Sequence, residues 1–260
     1  EWWSLDAKNI ELRIPAYEAG EEEMIAIFEK QDEPPYYGSY HLLIFDILHP
    51  EKWDRNDPEG LLKAKKEYSS TWYQWTKNGN FAVQYGAVAS SGTADRAYHV
   101  DGAQLVVEKR FGKIKELNER MIAYAKEFGY VETIPDKTVD PNRGYPIECS
   151  RNRWGSIKPT IPLNYHIQST AMWWMMKAML RCQEYLDDLN SRKGSLGYYM
   201  ILQVHDELVF DFPKGKAYKA NMPKIRRIRR LMEEGGRDLG IPTPVGIEYH
   251  EKTWDKGIAL

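Results

Sequence analysis

Residues 203–210 read QVHDELVF. Apolar residues run up to Val204 and resume at Leu208, and between them stand three ionisable side chains, His205, Asp206 and Glu207. The wider stretch YYMILQVHDELVFDF, residues 198–212, is rich in β-branched and aromatic residues on both sides of the acids. That pattern predicts two short strands joined by a tight turn. The acids then stand at the tip or edge of a hairpin, within reach of water, a metal or a ligand. A solvated charged turn is the ordinary use of such a triplet, so its meaning depends on a partner elsewhere in the chain.

The chain has 260 residues, enough for one large domain or two small ones. Hydrophobic residues make up 42% and charged residues 28%, a balance that suits a folded protein rather than a disordered one. No run of about 18 uncharged apolar residues occurs, so no membrane partner is expected, and no secretory signal is visible. Cys149 and Cys182 fit no metal-ligand spacing and are expected to be reduced in an intracellular chain. A net charge of −2 excludes bulk basicity as the basis of nucleic-acid binding, so any anionic partner must be held by local patches. The opening EWWSLDAKNIELRI already lies inside a strand-like run, which reads as a piece of a longer protein or one product of a cut.

Residues 2–30 read as a strand followed by helix, punctuated by Pro15 and Gly20, with EEEMIAIFEK carrying acids in its first turn. SYHLLIFDILH is an apolar helix candidate, PEKWDRNDPEG a loop, and Leu61 to Ala89 one or two helices. QLVVEKRFGKIKELNERMIAYAKEFG reads as one amphipathic helix ending at Gly129. YVETIPDKTVDPNRGYPI resembles hairpin material, and NYHIQSTAMWWMMKAMLRCQEYLDDLN a long helix, apolar over much of its surface and therefore buried. After the acidic turn come the helix NMPKIRRIRRLMEEGG and a closing strand, TPVGIEYHEKTW. Helices interleaved with an antiparallel hairpin predict an α+β chain.

Three constellations can carry chemistry. Asp6 ends the first strand and is the candidate partner of Asp206. Two aspartates on neighbouring strands supply the hard oxygen ligands that magnesium takes, and two such ions can clamp both oxygens of an in-line displacement. Two unrelated surface acids are the alternative. In YQWTKNGNFAVQYG, residues 73–86, helical spacing puts Tyr73, Lys77, Asn80, Phe81, Gln84 and Tyr85 on one broad face. A lysine between aromatics can meet a triphosphate and stack a base and sugar, although such a stripe is more often core. In NYHIQSTA, Asn164 and Gln168 lie at i and i+4, where amides can read minor-groove acceptors or contact sugars, or serve as a polar stripe or cap.

Taken in order, these pieces resemble motifs A, B and C of the family A DNA polymerases, the bacterial polymerase I family. LDAKNIELR resembles motif A, usually close to D-Y-S-x-I-E-L-R. KNGNFAVQYG resembles motif B, K-x-x-N-F-x-x-x-Y-G, and QVHDELVF is nearly verbatim motif C. GYVETIP, NYHIQSTA and TWDKG resemble further family segments, so the likeness runs from about residue 3 to the C-terminus. It implies an antiparallel palm sheet backed by helices and a mostly helical fingers subdomain: residues 1–30 as the first part of the palm, 31–130 as fingers and 131–260 as the second part of the palm. The family's thumb and any exonuclease domain have no counterpart here. Position by position, the resemblance implies that Asp6, Asp206 and the Ala7 carbonyl bind two magnesium ions, with manganese able to substitute. Glu207 corresponds to the acid near the primer end, with His205 beside it. Glu11 and Tyr85 correspond to the wall against a ribose 2′-hydroxyl, Lys77 and His41 to phosphate contacts, and Phe81 to the sugar-stacking ring. Asn164, Gln168, His205 and Arg143 correspond to duplex contacts.

The departures are specific. Motif B carries an arginine four residues before its lysine, and here Tyr73 stands there. A phenol cannot replace the charged fork, so nucleotide affinity is lowered or another cation substitutes. Ala7 and Lys8 replace an aromatic and a serine in motif A, and Ser169 replaces a usual glycine. A divergent member follows, with a viral source as one reading. The implied function is template-directed, two-metal transfer of deoxynucleotides to a primer 3′-hydroxyl with release of pyrophosphate. One ion acidifies that hydroxyl and the other holds the triphosphate. The implied partners are primer–template DNA, deoxynucleoside triphosphates, and an upstream thumb or exonuclease segment of the same protein or of a split partner. The implied location is intracellular, cytoplasmic or nucleoid-associated, or the host cytoplasm for a virus. That segment is also expected to supply sheet neighbours to the strand carrying Asp6 and cover for Trp2 and Trp3. Two other classes stay open: a catalytically weakened nucleic-acid-binding remnant, and a metal-dependent hydrolase built on the acidic turn.

Overall fold

Strand β1 (Trp2–Ala7) is the middle strand of a five-stranded antiparallel sheet. In this computed structural model, which describes residues 1–31, 33–84, 102–106, 108–192, 197–214, 220–251 and 257–260, the chain divides into two compact units. Glu1–Ile14, Thr133–Tyr145 and Gln168–Leu260 form the sheet unit; Pro15–Glu132 and Pro146–Ile167 form the helical unit. This division differs from the reading by sequence at residues 15–30, 131–132 and 146–167, which group with the helices. The α+β class, an antiparallel sheet with helices, is as expected.

In the sheet unit, β1 alternates with period two. Trp3, Leu5 and Ala7 are buried on one side, and on the other Ser4 is covered while Trp2 and Asp6 are exposed. Ser4 is covered because its hydroxyl meets the ring Nε2 of buried His250 at 2.8 Å. β1 is flanked on one edge by β5 (Glu207–Asp211) and on the other by β6 (Val245–His250). Outside β5 lies β4 (Tyr199–Val204), and outside β6 lies β7 (Ile258–Ala259). This corrects one expectation. The neighbours of β1 come from this chain, and Trp3 is fully covered, so the strand needs no outside segment to pair its backbone. Helix α8 (Met222–Leu239) and the later part of α7 (Ile161–Ser191) belong to the same unit. They approach closely at Gly235, where an added Cβ would come within 2.9 Å of the Trp174 ring. The α7 stretch is a single helix as expected, and Trp174, Met175, Ala178, Cys182 and Leu186 give it a buried stripe.

The helical unit is built around α3 (Tyr40–Leu48), buried from Tyr40 to Asp46. Ser39 caps it, its hydroxyl accepting from the Leu42 N–H. Leu42 and Phe45 of α3 pack with Leu61 and Ala64 of α4 (Gly60–Glu67) and Tyr73 of α5 (Trp72–Gln84). Buried Asp46 is satisfied by the Tyr36 hydroxyl, the Trp53 indole N–H and the Arg55 guanidinium at 2.7–3.0 Å. Helices α1 (Ile10–Ala19) and α2 (Glu22–Glu29) precede α3, and α6 (Gly112–Phe128) follows α5. The expected single helix over 104–129 is interrupted: Phe111 is non-helical (φ −120°, ψ 53°) and fully buried, so α6 starts at Gly112. Its end is as expected, with Gly129 left-handed at φ 85°. After it, β2 (Tyr130–Glu132) and β3 (Pro146–Glu148) pair antiparallel. No helix among the described residues is long and apolar enough to cross a membrane.

Candidate active site

The acidic triplet folds as its flanks predict. β4 and β5 form a hairpin in which Val204 opposes Glu207, leaving His205 and Asp206 as a two-residue turn. His205 takes φ 53°, the left-handed conformation that turns of this length require. Gln203 holds the bend by donating to the His205 carbonyl at 2.6 Å.

The register then brings the two ends of the sequence together. Asp6 is opposite Glu207, and the Ala7 N–H donates to the Asp206 carbonyl at 3.0 Å. On the other side Asp6 faces Gly246. Beyond Ala7 the chain turns sharply through Lys8 and Asn9, the latter at φ 58°, a conformation asparagine tolerates. Buried Arg13 secures this corner. Its guanidinium donates to the carbonyls of Lys8 at 3.0 Å and Pro242 at 2.9 Å, tying α1 to the approach to β6. Glu11, in the first turn of α1, lies close enough for its charge to act on Asp206.

The electrostatics of the corner follow from this crowding. Although part of its surface is exposed, Asp6 is pushed up to about 7 by desolvation in this crowded corner and by the charges of Asp206, Glu207 and Glu248; among the described residues Lys8 acts against them. Asp206 is also raised, chiefly by desolvation. Its own backbone N–H and the neighbouring His205 work the other way, while Glu11 and Glu207 add to the rise. A corner that holds carboxylates together against their repulsion attracts a cation. Asp6 and Asp206 offer carboxylate oxygens at this corner, the hard donor type that a divalent ion takes. Among the described residues no three His, Cys, Asp or Glu side chains are grouped so as to hold a metal ion.

The second group of expected residues lies in the helical unit. Lys77 is half-buried on α5, and Phe81, one turn later, packs its ring 5.0 Å from that of His41 on α3. His41 departs from its expected part. It is buried, its Nδ1 accepts from the Asn80 side-chain amide at 3.1 Å, and burial together with Lys77 and Lys65 pushes it down to about 3. Tyr73 is core rather than surface: its ring packs edge-on to Phe45 at 5.9 Å within the apolar cluster. Tyr85 lies outside the described residues.

The remaining positions are spread over other elements. Asn164 and Gln168 share one face of α7, Asn164 partly covered and Gln168 exposed. His205 is exposed at the hairpin turn, and Arg143 lies on an exposed loop of the sheet unit. The structure therefore gathers Asp6, Ala7, Asp206, Glu207 and Glu11 at one corner of the sheet unit, and Lys77, Phe81, His41 and Tyr73 within the helical unit. Sequence reading missed Glu248 and Lys65. Neither sits in a motif, and both reach their groups through partners distant in the chain.

The family model for DNA polymerase family A matches residues 1–256. The thermostable DNA polymerase I of Thermus aquaticus is 26% identical over 254 residues, covering 95% of this chain and 26% of that protein. DNA polymerase I of Chloroflexus aurantiacus is 25% identical, covering 96% of this chain and 24% of its own length. That of Streptococcus pneumoniae is 26% identical, with 96% and 25% covered. The chain thus spans about a quarter of the length of these curated relatives. Among solved structures, the polymerase domain of Pol1 from M. smegmatis, in complex with DNA primer–template and dNTP, superposes with a TM-score of 0.69. It covers 99% of this chain and 40% of that one at 21% identity, a likeness of fold.

Proposed function

This chain belongs to DNA polymerase family A, and we propose that it carries the site for template-directed transfer of deoxynucleotides to a primer 3′-hydroxyl. The observation that carries the reading is the pairing of Asp6 with Glu207 beside the Asp206 turn: carboxylates from opposite ends of the chain meet where sheet register, not chance, has put them. Asp6, Asp206 and the Ala7 carbonyl would hold divalent magnesium, or manganese in its place. Bound there, such ions supply Lewis acidity toward the attacking hydroxyl and the leaving pyrophosphate. The chain's own groups do the rest. Asp6 and Asp206 hold the negative potential of the corner, and Glu207 stands next to the reacting end of the primer. Lys77 neutralises phosphate charge and Phe81 stacks on the sugar. Glu11 and Tyr85 exclude a 2′-hydroxyl. Asn164, Gln168, His205 and Arg143 grip sugars and phosphates, while sequence choice is left to the template base. The sheet unit serves as palm and the helical unit as fingers, acting on DNA inside the cell.

The test is primer extension with magnesium by the purified chain, comparing it with Asp6→Ala and Asp206→Ala. Loss of extension in both variants with primer–template binding retained supports the reading. Near-normal extension by either variant removes it. One observation favours a second reading, a weakened nucleic-acid-binding remnant: Tyr73 is buried where the family motif carries a charged residue. That reading expects duplex binding by the parent chain with no extension.

A further inference from the structure

The helical unit holds two lysines close enough to repel, and among the described residues neither is in an ion pair. Lys65 lies on α4 and Lys77 on α5. The Lys65 ammonium stands over the ring of Tyr73, 5.6 Å from its centroid. Tyr73 is one helical turn before Lys77. It is fixed from behind by Phe45 and the apolar cluster. The ring is thus a rigid ledge for a cation. Lys65 is lowered from the usual lysine range by desolvation and then by the charge of Lys77, and both lysines press on buried His41. Among the described residues neither lysine is in an ion pair, whereas Lys63, on the same helix, is held by Asp57 at 2.5 Å. Like charges kept close, with no acid among the described residues paired to either, repel. The arrangement is relieved when a multiply charged anion binds across both.

We propose that Lys65, seated on Tyr73, is a phosphate-binding residue of this chain and forms with Lys77 a two-lysine clamp for the polyphosphate of the incoming nucleotide. It supplies from a neighbouring helix the second cation that position 73 does not carry. The tyrosine is then a positioning residue rather than a lost one: its aromatic face sets the ammonium where a charge is needed. This rests on the reading of the chain as a polymerase, and its test is chosen to come apart from that reading.

Two measurements are made on the whole chain and on Lys65→Ala, Lys65→Arg, Lys66→Ala and Tyr73→Leu. The first is the affinity for inorganic tripolyphosphate, which needs neither template nor metal. The second is KM and kcat for a deoxynucleotide in primer extension. Removing one charge-assisted phosphate contact is expected to weaken tripolyphosphate binding, and to raise KM, by about tenfold to a hundredfold. Kcat should change by less. Lys65→Arg should restore both to within a few-fold, and Lys66→Ala, an exposed neighbour on the same helix, should change neither. Tyr73→Leu should weaken binding while Lys65 is still present, which separates positioning from bulk charge. Equal tripolyphosphate affinity in the parent chain and Lys65→Ala overturns the clamp, whether or not the chain extends primers. So does equal weakening by Lys66→Ala. A parent chain that binds tripolyphosphate through Lys65 but extends no primer would keep the clamp and remove the polymerase reading.

Discussion

Acid should unfold the helical unit through His41. The ring is buried, 5% exposed, and pushed down to about 3 from 6.5. The groups that face it explain the direction. Lys77 and Lys65 repel a second positive charge, Phe81 and Tyr40 offer aromatic surface, and Asn80 presents an N–H donor to Nδ1. A depressed folded-state value means that the unfolded chain takes up the proton first. The stabilisation is therefore complete above about pH 6.5 and is lost as the pH falls toward 3. At 1.36 kcal/mol for each tenfold change in proton affinity, the interval from 6.5 to about 3 is worth about 5 kcal/mol. That is a ceiling. The Asn80 Oδ1 is buried with no partner among the described residues, and a flip of its amide would let it accept from a protonated ring. The perturbation is His41→Asn, whose Oδ1 takes the place of Nδ1 and still accepts from Asn80 while removing the titration. Urea unfolding of parent and variant would be followed between pH 7 and 4.5. The variant should be less stable at pH 7, because the missing ring leaves a cavity. Between pH 6.5 and 4.5 the parent should lose up to about 3 kcal/mol more than the variant. Parallel pH profiles would refute the reasoning, as would a ring titration by NMR with its midpoint near 6.5.

At the acidic corner, Asp6 has a folded-state value above its unfolded one, so its ionisation opposes folding. In metal-free buffer, the Asp6 contribution to the stability of the sheet unit should fall as the pH rises from about 4 to 7, so Asp206→Asn should gain stability relative to the parent across this range while abolishing extension; thermal melts of the two side by side check it. Glu11→Ala should raise ribonucleotide incorporation, and Phe81→Tyr should ease the entry of dideoxynucleotides. Single-nucleotide extension in which neither variant differs from its parent would remove both from the sugar site. Gly144→Ala should destabilise the sheet unit by more than about 3 kcal/mol, because an added Cβ would overlap the Thr133 carbonyl. Unfolding midpoints in urea measure this, and a neutral result would show that the loop relaxes freely.

The amino-acid sequence by itself determined the local elements and the chemistry they carry. The two-residue turn at His205 and Asp206 follows from acids set between β-forming runs. The buried stripe of α7 follows from its helical spacing, and the end of α6 from Gly129. These are short-range properties of the chain, set by propensity and periodicity. Motif order pointed to Asp6, Lys77 and Asp206 with no knowledge of how far apart they lie. Tertiary structure alone decided what depends on contacts between distant residues. Register placed Asp6 opposite Glu207 and made β1 a central strand, because β5 and β6 arrive from more than 190 residues away to take both of its edges. Packing turned His41 inward, where desolvation outweighs any use of its charge, and made Tyr73 a wall of the core. It also brought Lys65 of α4 over that wall beside Lys77 of α5. Nothing in the run KAKK distinguishes Lys65 from Lys66. The difference is an aromatic ring supplied by the next helix, and helix-to-helix adjacency is set by how side chains interlock in three dimensions, which no local pattern records.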